Sequence, residues 1–168
     1  TKVNQPLKKI NILDIGCGNG KPLAAYLINQ GFNVYGLDIS PKQLAYAGQI
    51  IPKAQLFLDD ICDFKTELKF DAIICWFTLF HIHATQHLDV LEKIYTLLKP
   101  SGVLLITFAD TSIKPEGNGI ITIDENTIES EMFGERFLHS GHPAKINTKL
   151  TKQAGFTIIN DKIDQPGN

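Results

Sequence analysis

A chain of 168 residues with 43% hydrophobic and 20% charged residues has the composition of one ordinary globular domain with a sizeable core. Its net charge of -2 and single arginine, Arg136, provide neither a basic field nor clustered bidentate phosphate recognition, which disfavours nucleic acid as a partner. No apolar run reaches membrane-spanning length, no signal-peptide pattern opens the chain, and the three cysteines have no disulfide-like spacing, so a soluble protein of the reducing cytoplasm is expected.

The first predicted element is a buried strand ending at residue 15, followed by glycines at every second position: Gly16, Gly18 and Gly20. A strand that stops at glycines can turn sharply and bring backbone amides close to a bulky ligand at the start of the next helix. That helix is predicted from Pro22, with Leu23, Ala24, Leu27 and Ile28 on one face and Gly31 at its end. Residues 32–37 read as a second strand that delivers Asp38, a carboxylate placed to accept both hydroxyl protons of a ribose. Ser40, Pro41 and Gln43 start the next helix with both partners of a capping box.

Further strands are predicted at residues 54–58, 71–75 and 103–109, with a helix over 86–98 carrying Leu88, Leu91, Ile94, Leu97 and Leu98. Strand and helix alternate as in right-handed crossovers, so the expected fold is α/β: a doubly wound, Rossmann-like, mostly parallel sheet with helices on both faces. Residues 110–143 break the rhythm and read as a long irregular insertion, expected to close like a lid over the ligand-binding end of one domain spanning 1–168. A helix over 144–154 and a sixth strand over 156–160 complete the prediction.

The glycine spacing separates possible ligands. A dinucleotide fingerprint places glycines first, third and sixth, whereas the sixth position here is Lys21; an NAD(P)-dependent oxidoreductase is thereby disfavoured. A Walker loop fails as well, because Gly20 and Lys21 are followed by Pro22 rather than serine or threonine.

The segments 12–20, 36–40, 58–64, 70–81, 99–106 and 154–156, in this order and spacing, resemble the successive motifs of the class I S-adenosylmethionine-dependent methyltransferases. The resemblance implies S-adenosylmethionine as cofactor. Asp14, Gly16, Cys17 and Gly18 would form the loop around its methionine portion, Asp38 would hold the ribose, and Ile39 would pack on the adenine. Asp60 would accept from the adenine amine beside the Ile61 backbone, although a capping carboxylate is the structural alternative for Asp60. Cys75 and Trp76 would border the cofactor from the fourth strand, with Trp76 and Phe77 as an aromatic wall for substrate and sulfonium or, as the alternative, as core side chains. An Asn/Asp-Pro-Pro-aromatic element does not follow that strand, which argues against DNA adenine and glutamine amide substrates and leaves a small-molecule methyl acceptor.

Cys75 lacks the preceding proline of enzymes that methylate cytosine at carbon, so no nucleophilic role is expected. His81, His83 and His87 have spacings a metal could tolerate, but no cysteine or carboxylate joins them at ligand spacing, and no metal is expected. His139 and His142, in the insertion, are the candidate proton acceptors for a hydroxyl or amine nucleophile, with a surface histidine in a loop as the alternative for each. Against the family pattern the chain reads as trimmed at both ends, which keeps a non-catalytic binding module or partner subunit as the alternative.

Overall fold

The computed structural model describes residues 10–112, 120–132 and 134–162. Five parallel strands, β1 (Asn11–Ile15), β2 (Asn33–Asp38), β3 (Gln55–Leu58), β4 (Phe70–Cys75) and β5 (Leu98–Ile106), form one sheet in the order β3-β2-β1-β4-β5. Strand order reverses at β1, the switch point beside which open α/β sheets bind their ligands. In register, Asp14 lies between Gly36 of β2 and Ile74 of β4.

Alternation along the buried strands divides the core between two faces. Leu13, Ile15, Tyr35, Leu37, Phe70 and Ile73 pack on one face with Val90, Ile94 and Leu97 of α3 (His87–Leu97). Ile12, Val34 and Ile74 pack on the other with Ala24 and Leu27 of α1 (Leu23–Asn29) and Ala47 of α2 (Pro41–Ile50). The doubly wound expectation is met because these strands are apolar on both faces rather than on one.

Local signals place the helix ends where they were read. Gly31, at φ +88°, ends α1 with its N–H on the Ile28 carbonyl (2.9 Å), while the Phe32 N–H reaches the Leu27 carbonyl (3.2 Å). Ser40 caps α2, its hydroxyl oxygen accepting from the Gln43 N–H at 3.3 Å.

Two expectations are corrected. The segment read as irregular folds as a three-stranded antiparallel sheet of β6 (Ile121–Asp124), β7 (Thr127–Met132) and β8 (Glu135–Ser140), apart from residues 113–119 and 133, which lie outside the described residues. Its strands alternate over only a few residues and are rich in polar side chains, so period two is faint in the sequence. Residues 156–160 form no strand, although their β-branched residues suit one; they leave α4 (Ala144–Gln153) as an open segment with Ile159 exposed. Among the described residues no helix is long and apolar enough to cross a membrane.

Candidate functional site

The carboxyl ends of β1 and β2 build the first part of the site. At the end of β1, Gly16 takes φ +71°, and its N–H and that of Cys17 both donate to the Leu37 carbonyl, at 2.7 and 3.1 Å. A Cβ at Gly16 would stand 2.1 Å from Thr78 Oγ1, so glycine is required twice over, by backbone and by space. The loop then returns to Asp38, whose Oδ2 accepts from the Gly18 N–H at 2.8 Å while Oδ1 accepts from the Ser40 N–H at 2.8 Å. A carboxylate has about four acceptor positions. These two bonds therefore fix Asp38 and leave it capacity for ligand hydroxyls.

Asp14 is only 4% exposed, and among the described residues its carboxylate has no hydrogen-bond partner. Burial, with the charge of Asp38 added, pushes its pKa up to about 7. A buried, unpartnered carboxylate beside a second one is a receptor for positive charge. Cys17 contributes differently from expectation: its sulfur fills the space that a Cβ on Gly36 would enter at 2.8 Å, and burial first, then Asp14 and Asp38, push the thiol up to about 12. Its side chain is packing, and only its backbone faces the loop.

At the β3 end, Asp60 accepts the Cys62 N–H at 2.8 Å through Oδ1, and its carbonyl accepts from Asp63 (2.9 Å) and Phe64 (2.7 Å). Asp60 thus caps its own turn, as the structural alternative had it. Ile61 is buried with Phe64 in the core, which leaves its backbone as the only ligand-facing part. Beside Asp38, Ile39 is 68% exposed and Leu58 59%, an uncovered apolar pair. Leu58 was not singled out from the sequence. Its signal there was its place at the tip of β3, at the head of the 58–64 segment.

The end of β4 brings a further correction. Cys75 is 1% exposed in the core, its carbonyl accepts the Thr107 N–H at 3.2 Å, and burial pushes its thiol up to about 12. It offers no surface to a ligand. Exposure begins with Trp76 (41%) and Phe77 (57%), whose rings meet edge to face at 5.5 Å. From Phe77 the ring contacts continue to Phe80 at 6.1 Å and from Phe80 to His139 at 6.0 Å, nearly parallel, so β8 joins the aromatic wall.

The two histidines expected to act as bases lie against the segment after β4. His139 Nε2 is buried without a partner, and burial, followed by the neighbouring His81, lowers its pKa. His142 Nε2 donates to the Ala84 carbonyl at 3.1 Å, and its ring meets His87 at 5.4 Å. Both rings pack the β6–β8 sheet and its exit against the loop after β4. All five histidines of the chain lie along this seam: His81 Nδ1 donates to the Leu138 carbonyl at 2.8 Å and His83 Nε2 meets Asp124 at 3.1 Å. Buried Thr127 and Ser140 complete it, their hydroxyls 2.8 Å apart and Ser140 Oγ accepting the Ala84 N–H at 2.7 Å. Among the described residues no group of three histidine, cysteine or acidic side chains is set to hold a metal ion.

Residues 12–102 match the family described as methyltransferase domain. The chain is 29% identical over 128 residues to a ubiquinone biosynthesis O-methyltransferase of Rickettsia akari, covering 72% of this chain and 49% of that protein. It is 31% identical over 114 residues to a trans-aconitate 2-methyltransferase of Escherichia coli, covering 66% and 44%. The chain thus spans about half the length of the curated relatives it matches. Its fold is similar to that of an S-adenosylmethionine-dependent methyltransferase from Clostridium acetobutylicum, with a TM-score of 0.73, 16% identity, and coverage of 89% of this chain and 74% of the other. With a glycine loop wired to Asp38 at the switch point and the family match running from β1 into β5, the chain belongs to the class I S-adenosylmethionine-dependent methyltransferases.

Proposed function

We propose that the chain binds S-adenosylmethionine at the carboxyl ends of β1 to β4 and transfers its methyl group to a small molecule in the cytoplasm. The observation that carries this reading is the pair of carboxylates around the glycine loop: Asp38 held by the Gly18 and Ser40 amides, and Asp14 buried, unpartnered and shifted toward neutrality. Asp38 suits a ribose diol. Asp14 suits a nearby ammonium, whose charge would restore its ionised form.

Gly16 and Gly18 let the backbone approach the methionine portion, Ile39 and Leu58 give an adenine ring an apolar face, and the remaining acceptor capacity of the Asp60 carboxylate suits an exocyclic amine beside the Ile61 backbone. When bound, the cofactor supplies a sulfonium methyl with a neutral thioether as leaving group, so the chain has mainly to position the reactants and exclude water. Trp76 and Phe77 face the acceptor, and the β6–β8 sheet forms a cover on that side, as part of the one domain. The names of the relatives, an O-methyltransferase of ubiquinone biosynthesis and a trans-aconitate 2-methyltransferase, support a small-molecule acceptor.

A screen with methyl-labelled S-adenosylmethionine against small hydroxy, amino and carboxy acceptors tests the proposal. Label transferred to at least one acceptor, and lost with Asp38→Ala, is the expected outcome. Cofactor binding without transfer to any of them would favour the non-catalytic alternative.

A further inference from the structure

The turn after β4 has to present Trp76 and Phe77 at a fixed distance from the glycine loop, yet it contains a conformation that a phenylalanine does not adopt unaided. Phe77 stands at φ +53°, in the left-handed region. Its N–H is held by Thr107 Oγ1 at 2.7 Å, a residue just beyond β5. The next residue, Thr78, directs its hydroxyl both to the Ile15 carbonyl at 3.0 Å and to the Trp76 carbonyl at 3.1 Å. A hydroxyl has one proton, so the two carbonyls share a single donor. One of them closes β1 immediately before the glycine loop, and the other belongs to the aromatic wall.

Packing repeats the connection. Thr78 occupies the space left by the absent Cβ of Gly16, where Oγ1, Cγ2 and Cβ would all lie within 2.9 Å of an added carbon. The glycine therefore serves more than its own backbone: it admits Thr78, and Thr78 joins the strand that carries the cofactor loop to the turn that carries the aromatic rings.

We propose that Thr78 is a positioning residue of the methyl-transfer site, fixing the acceptor-facing Trp76–Phe77 wall against the glycine loop, with Thr107 holding the wall from the opposite side. This rests on the methyl-transfer reading above. In-line displacement is sensitive to small displacements of the acceptor, of the order of 100-fold in rate for about 1 Å. A tether one hydroxyl long between the two loops is the means by which this chain limits that displacement.

The test uses Trp76, the only tryptophan of the chain, as reporter, with S-adenosylhomocysteine as the probe ligand. In Thr78→Val, acrylamide should quench Trp76 of the free protein about twofold more efficiently, and Thr78→Ser should restore the wild-type value, as expected for a lost and regained hydrogen bond. Calorimetric affinity for S-adenosylhomocysteine should stay within about threefold in both, while the ligand-induced change in Trp76 emission falls below about half of wild type in the valine variant alone. With an acceptor in hand, kcat should fall about tenfold or more at unchanged cofactor KM.

Should Thr78→Val fail to fold, Thr107→Val tests the wall from the other side and must raise quenching with the heat of binding preserved. Quenching and emission in Thr78→Val equal to wild type would overturn the proposal, as would a serine variant that restores nothing, or wild-type Trp76 emission that ignores a calorimetrically bound ligand. If wild type binds no S-adenosylhomocysteine, the cofactor reading fails, and quenching of the free protein still decides whether Thr78 holds the wall.

Discussion

The carboxylate of Asp14, buried beneath the glycine loop, feels the charge of Asp38 at the tip of the neighbouring strand, and this adds to burial in raising Asp14 to about 7. One of the pair is fixed by two amides and the other has no partner among the described residues. The site is thus prepared for a ligand with hydroxyls at one end and a positive charge at the other.

The raised value has a sign. Because folded Asp14 holds its proton more tightly than an unfolded aspartate, its contribution to stability is full below about pH 4 and is lost as pH rises through about 7. Thermal unfolding of the free protein should show that decline, and Asp14→Asn should lack it. A cationic ligand selects the ionised form, so affinity for S-adenosylmethionine should rise about tenfold between pH 6 and pH 8 in wild type and stay level in the asparagine variant. Calorimetry across that range measures both.

Asp38→Ala removes the charge-assisted acceptor for ligand hydroxyls and leaves the Gly18 and Ser40 amides without their partner. Binding of S-adenosylhomocysteine should weaken by roughly 1.5 to 3 kcal/mol. Circular dichroism identical to wild type, with unchanged affinity, would remove Asp38 from the site.

Gly16→Ala should destabilise the protein by at least about 1 to 2 kcal/mol from the left-handed φ alone, with further loss from the contact at 2.1 Å to Thr78 Oγ1. Adding Thr78→Ala should relieve the contacts to Oγ1 and Cγ2, though not the one to Cβ at 2.9 Å or the backbone strain. Denaturant titrations of the two single variants and the double should therefore show favourable coupling, with the double still less stable than Thr78→Ala alone.

The histidine seam should loosen in acid. Burial holds His87 and His139 below the usual histidine range, with His142 beside the first and His81 beside the second opposing a further charge. Their stabilising contribution is present above about pH 6.5 and lost as pH falls through their lowered values. His83 Nε2 meets Asp124 Oδ2 at 3.1 Å in the same seam. The prediction is that amides of β7 and β8 lose hydrogen-exchange protection between pH 7 and pH 5 while β1, β2 and β4 keep theirs, and that His87→Gln reduces the effect. Uniform protection at both pH values would refute it.

Much of this was readable from residue patterns. Apolar runs ended by Gly16, Gly31 and Asp38, and the cap at Ser40, act through local conformation, which the chain carries with it. The aromatic wall was only half readable: Trp76 and Phe77 are adjacent in sequence, but their presentation depends on a positive φ held by Thr107, thirty residues away. The β6–β8 sheet was misread because its strands are short and half-exposed. The contacts of His139 and His142 with rings and carbonyls of the segment after β4 were unreadable for a related reason, since no spacing within 110–143 encodes them.

The most direct test of the central claim is a calorimetric titration of the wild-type chain with S-adenosylhomocysteine, run beside NADH and beside Asp38→Ala. Saturable one-to-one heat with S-adenosylhomocysteine, none with NADH and a clear loss of affinity in the variant is the predicted result. Saturable binding of NADH, or no heat with S-adenosylhomocysteine from a folded protein, would contradict the assignment of the site.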